Sequence, residues 1–171
     1  MTFIKSLFGW STASRKSMQP LYNAVVARGR DPLWYEGGIS DSIDGRFEII
    51  TAVLAHVLLR LEEDDDARRP STYLTELFVD DMDGQLRQIG VGDLMVGKHI
   101  GRLMAALGGR LGAYRDAGDA AAHASILTRN LGDQCGADAV RDAATRLAAF
   151  AAALSATPVA VILAGQLPEL A

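Results

Sequence analysis

Two short stretches carry side chains whose types and spacing could do chemistry. The first, Gly92-Asp93-Leu94-Met95-Val96-Gly97-Lys98-His99, falls one position short of the phosphate-binding pattern G-x-x-x-x-G-K-[ST]. In such a loop a strand delivers backbone N–H groups to the phosphates, a lysine reaches the outer ones and a hydroxyl holds magnesium. Here His99 stands where the hydroxyl is needed, and residues 73–89 before it have helical, not strand, periodicity. Sequence and context both fail, so nucleotide hydrolysis is not expected. The second stretch is Asp80-Asp81-Met82-Asp83-Gly84-Gln85-Leu86-Arg87. On a helix, Glu76, Asp80, Asp83 and Arg87 share the side opposite the leucines. Asp is a poor mid-helix residue and neighbouring like charges repel, so stability alone does not select this cluster. Three readings stay open. The carboxylates form a solvated face paired with Arg87, or with Lys98 and Arg102 of the next helix. They dock a protein partner. Or they bind magnesium, as the D-D-x-x-D helices of all-α isoprenoid synthases do. For magnesium, the last Asp comes one position early and a second Asp-rich helix is missing, whereas an oxygen-only site needs several convergent carboxylates. His56, His99 and His123 fall on three separate helices with no nucleophile beside them, and His56 reads as a core-edge histidine with its hydrogen bonds met. The single cysteine, Cys135, permits neither an internal disulfide nor a thiolate cluster. No catalytic residue, metal or cofactor is expected.

The elements that must position these residues are helical almost throughout. The spacing predicts helices over about 17–28, 43–62, 71–89, 94–114, 119–131 and 137–155, with a short apolar helix or turn near 158–167. The segment 29–42 reads as an ordered loop that carries Trp34 and Tyr35. Ile43, Phe47, Ile50, Leu54, Val57 or Leu58, and Leu61 mark the buried face of the second helix, and Ile49 and Val53 widen it, which makes that helix central. Residues 62–70 read as a charged linker ended by the stop of Pro70. Gly90 and Gly92 permit a sharp reversal, with Gly90 as a left-handed cap and Asp93 as the N-cap of the helix that follows. Along that helix Gly97, Gly101, Ala105, Gly108 and Gly112 recur at helical spacing. Glycine costs a helix about 1 kcal/mol relative to alanine, so close packing within the chain or a partner helix must offset it. The expectation is an all-α, single-domain bundle of six to seven helices over 17–171, behind a basic, aromatic leader at 1–16.

The chain of 171 residues is long enough for one real core. No apolar run approaches the roughly 18–20 residues of a membrane-spanning helix. Residues 1–30 hold Lys5, Arg15, Lys16, Arg28 and Arg30 and no acid, a charge of +5 that leaves −9 of the total of −4 on the rest. An acidic body argues against nucleic acid as a partner. The leader, with Phe3, Ile4, Leu7, Phe8 and Trp10 beside Lys5, suits either an anionic membrane surface or a flexible or core-docked N-terminus. Arginine outnumbers lysine 14 to 3 and alanine is abundant, the habit of a GC-rich bacterial gene, and the expected place is the bacterial cytoplasm, peripheral to the inner membrane.

Residues 31–49, 77–100 and 108–117, taken in order, resemble the ubiquinol–cytochrome c chaperone family, bacterial relatives of the mitochondrial cytochrome bc1 assembly factors. The motifs that carry the resemblance begin with the loop from Pro32 and the opening Asp44-Gly45-Arg46-Phe47-Glu48. Asp81-Met82-Asp83, Leu86-Arg87, Gly90-Val91-Gly92-Asp93 and Val96-Gly97-Lys98 follow, and Gly109-Arg110-Leu111-Gly112-Ala113-Tyr114 closes the set. The resemblance covers about residues 17–120, and the Ala-rich part over 119–167 carries no signature of its own. It implies an all-helical, non-enzymatic assembly factor whose client is cytochrome b or another bc1 subunit, with a second assembly factor as a further partner. Asp80, Asp81, Asp83, Arg87, Trp34 and Tyr35 are the expected partner contacts. Asp44, Arg46, Gly90, Gly92, Asp93, Gly97 and Lys98 are expected to hold the loop-and-helix architecture. A magnesium-dependent all-α enzyme and a homodimeric scaffold using the glycine stripe are the alternatives.

Overall fold

The computed structural model describes residues 14–88, 96–132 and 135–170. Its helices are α1 (Gln19–Gly29), α2 (Pro32–Glu36), α3 (Ile43–Glu62), α4 (Arg68–Gln88), α5 (Val96–Arg115), α6 (Ala120–Leu131), α7 (Ala137–Ala156) and α8 (Val159–Leu163). Short 3-10 turns at Arg15–Met18 and Asp65–Ala67 precede α1 and α4. The all-α expectation holds. Among the described residues, extended pairing is limited to one isolated bridge between Ile39 and Cys135.

The bundle is organised around α3. Ser42 caps it by accepting from the Gly45 N–H at 3.1 Å, and Asp44 lies in its first turn, where a carboxylate suits the positive end of the helix. From Glu48 to Leu58 every residue is buried, as required of a helix surrounded by others. Its neighbours are α1, α4, α5, α6, α7 and α8. Two glycines permit the closest approaches. A Cβ on Gly29 would sit 2.8 Å from the Ile50 backbone, where the end of α1 meets α3, and one on Gly45 would sit 2.1 Å from the Ser40 oxygen.

Two expected loops hold structure. Within 29–42, Asp31 caps α2 by accepting from the Leu33 N–H at 3.1 Å, and Pro32 occupies the first helical position, where its missing N–H costs nothing. Pro70 does not stop a helix. It lies buried in the first turn of α4, which already begins at Arg68. The physical reason is the same: first-turn N–H groups have no acceptor within the helix, so proline belongs at a start as readily as after an end.

Candidate functional site

Asp80 and Asp81 stand on the side of α4 that faces α1. Between the two helices runs a cavity of about 620 Å³, with Tyr22, Val26 and Arg30 on one wall and Leu77, Asp80 and Asp81 on the other. Arg15 forms an ion pair with Asp80, whose side chain is still 63% exposed. The Tyr22 hydroxyl donates to Asp81 Oδ2 at 2.6 Å. Burial first, and then that hydrogen bond and the carboxylate's charge, push the phenol well above its ordinary range, so Tyr22 stays a donor. The cation that meets Asp80 therefore comes from the N-terminal turn, whereas Lys98 is exposed on α5. Asp83 is half-buried and engaged, not free. Arg87 lies in α4 with its side chain outside the described set, and Gly90, Gly92 and Asp93 lie outside the described residues.

Trp34 is buried and Tyr35 half-buried, both packed against the end of α1. Trp34 is 1% exposed. Its indole N–H donates to the Arg28 carbonyl at 2.8 Å, and the Tyr35 hydroxyl donates to the Gly29 carbonyl at 2.8 Å. The last carbonyls of a helix lack partners within it, so these two aromatics fold back to satisfy the end of α1. Burial drives the Tyr35 phenol up to about 12, which keeps that donor in place. Asp44 is exposed, and Arg46 grips Asp41 with two bonds of 2.5 and 2.9 Å across the entry to α3, holding the Asp41 carboxyl below its usual range. Gly97 opens α5. The small-residue stripe that follows is open: a Cβ on Gly101, Gly108 or Gly112 would meet nothing within 4 Å, and the same holds for Gly109, which lies off the stripe. Among the described residues, packing inside the chain does not account for those glycines.

Two buried constellations have no signal in the sequence. Glu48, 2% exposed, accepts from Arg110 Nη2 at 2.5 Å and from Arg110 Nε at 3.1 Å. One turn along α5, Tyr114 packs on His56 with ring centres 4.5 Å apart. His56 in turn meets His123 of α6, Nε2 to Nε2, at 3.0 Å. The motif spellings that carry the family resemblance end on Glu48 and begin beside Arg110, but nothing in one sequence says that these meet. Glu48 and His56 lie two turns apart on α3, and their partners Arg110 and Tyr114 follow in the same chain direction, one turn apart, on α5. Only the pairing of the two helices makes the seam. Among the described residues no group of three or more His, Cys, Asp or Glu side chains converges as a metal ligand set. No described helix is long and apolar enough to cross a membrane.

Fold and site together define an all-α bundle protein with an acid-rimmed groove on one side and a buried polar seam through its centre. Comparison with known proteins gives the family. The chain belongs to the ubiquinol-cytochrome C chaperone family, which matches residues 36–170. The match runs through the Ala-rich part as well, beyond the stretch near 17–120 whose motifs are legible by eye. A crystal structure of the Cbp3 homolog from Brucella abortus superposes with a TM-score of 0.80 at 26% identity, over 93% of this chain and 91% of that one. No curated protein gives a match.

Proposed function

We propose that this protein is a non-enzymatic assembly chaperone for the cytochrome bc1 complex, and that its client is cytochrome b or a related membrane-protein subunit of that complex. It acts from the bacterial cytoplasm, at the periphery of the inner membrane. The observation that carries this reading is the family match over residues 36–170. The client surface is the groove between α1 and α4, with the face around Asp80, Asp81 and Asp83 as its acidic rim. Apolar Val26 and Leu77 lie between the charged groups, an arrangement that suits a basic amphipathic segment of a client.

The test is capture of epitope-tagged cytochrome b by the Asp80→Lys, Asp83→Lys double variant. Asp81 is left intact because it holds Tyr22. Capture at least tenfold below wild type, with the far-UV circular dichroism unchanged, is the expected result. Undiminished capture by the folded variant removes the acidic face from the client surface.

A further inference from the structure

The groove between α1 and α4 carries its acids at one end only. There Arg15 meets Asp80, and Tyr22 holds Asp81. Arg30 stands at the other end, on the same wall as Tyr22 and about two helical turns beyond it, roughly 12 Å away. It is exposed and forms no ion pair among the described residues. Its basic neighbours are matched: Arg28 pairs with Asp31, and Arg46 with Asp41. A cation suits the negative end of α1 on its own account. Arg30 also lies where the groove meets a second cavity of about 340 Å³, which Tyr35 and Glu36 line with it. Its charge reaches Tyr22 on one side and Tyr35 on the other.

The walls of the groove are the sides of helices. Away from the helix ends their N–H and C=O groups are bonded within α1 and α4, so an incoming chain finds no backbone to pair with. The polar side chains Gln19 and Asn23 are bonded to each other at 2.9 Å. An occupant must therefore satisfy its own backbone, as a helix does. We propose, on the reading that this groove receives the client, that its occupant is a short amphipathic helix with charges of opposite sign about two turns apart. The cation lies over Asp80 and Asp81, the carboxylate lies on Arg30, and the apolar side between them covers Val26 and Leu77.

The two ends do different work. The side chains of Arg15 and Asp80 are 43% and 63% exposed, so a client lysine or arginine can take the place of Arg15 at small cost. Asp81 is half-buried, and its partner Tyr22 is a neutral donor that leaves the carboxylate's charge in place. Arg30 repels a helix that is basic throughout and attracts one that carries acid at the far end. It therefore decides which basic segments enter, which is specificity by repulsion as well as attraction. On the client the pattern is a charge at i, apolar residues at i+3 and i+4, and the opposite charge at i+7, all on one helix face.

Capture of epitope-tagged cytochrome b by Arg30→Glu gives opposite signs for the two kinds of groove. A groove that selects basic segments alone binds more strongly once its repelling charge is reversed. The two-signed groove should lose about fivefold. Increased or undiminished capture by the folded variant overturns the proposal. If Asp80→Lys, Asp83→Lys still lowers capture in that case, the groove remains the client surface and only its Arg30 end is removed; if it does not, the groove reading falls too. A second measurement needs neither client nor variant: fluorescence anisotropy of the wild type with two labelled helical peptides. The first has Glu placed seven positions before Lys around two leucines, and the second has Gln for that Glu. The first should bind about threefold tighter, although the second is the more positive and the protein carries a net charge of −4. Arg30→Gln should abolish the difference. Equal binding of the two peptides by wild type, or tighter binding of the second, overturns the proposal however the variants fold.

Discussion

Glu48 carries a charge into the middle of an apolar helix, and Arg110 is what makes that tolerable. The carboxylate is 2% exposed, the guanidinium side chain 16%, and among the described residues Glu48 Oε1 has no hydrogen-bond partner of its own. Breaking a buried ion pair from one side leaves an uncompensated charge and costs about 3–5 kcal/mol, while replacing both partners by apolar groups of similar volume is often neutral. Arg110→Met should therefore destabilise by roughly 3 kcal/mol, and adding Glu48→Leu should recover most of the loss. Urea unfolding of the two variants checks this. If the double variant is no more stable than the single one, the pair has a role beyond charge compensation. The same attention to where each polar group ends explains Trp34 and Tyr35. Their sequence, two aromatics in a loop, reads as an exposed contact. Their N–H and O–H groups instead close the carbonyl end of α1. Which of two uses an aromatic has depends on where its loop folds, and that is not a local property.

At the scale of the elements, periodicity was a good guide where one face or all faces are apolar. The helix expected over 43–62 is α3 to the residue, and that expected over 137–155 is α7 short by one. Punctuation was a poorer guide. Proline marks either side of a helix boundary, so Pro70 reads as a linker's stop and yet sits in the first turn of α4. The glycines of α5 are the clearest case of a feature read correctly and explained only by elimination. They cost stability, and at 101, 108 and 109 they are exposed with open space where a side chain would go. Gly108→Ala should then raise stability by about 1 kcal/mol, since only helix propensity changes. Thermal or urea unfolding reads this directly. A loss of stability would mean that something outside the described residues, or a second chain, already occupies that face.

For the whole molecule, the arrangement around α3 divides the labour between two regions. The α1–α4 side holds the acidic groove; the α3–α5–α6 side holds the ion pair and the histidine contact. If the proposed function is right, deleting the gene should lower cytochrome b and the Rieske protein in membranes at least several-fold while leaving other respiratory complexes unchanged. Complementation by the Asp80→Lys, Asp83→Lys variant should fail, and complementation by Gly108→Ala should succeed. Spectra of reduced membranes and immunoblots give both readings; normal cytochrome b without the gene rejects the bc1 assignment. The amino-acid sequence by itself determined the all-helical class, the central helix, the charge division and the family resemblance, because each is written in composition, period or contiguous motif. Tertiary structure alone decided that Arg15 reaches Asp80, that Tyr22 reaches Asp81, and that His56 meets His123. Those partners are separated by 65, 59 and 67 positions. Contacts at such separations depend on how helices dock, and docking is set by the shapes of whole faces packed together, not by any residue's neighbours along the chain.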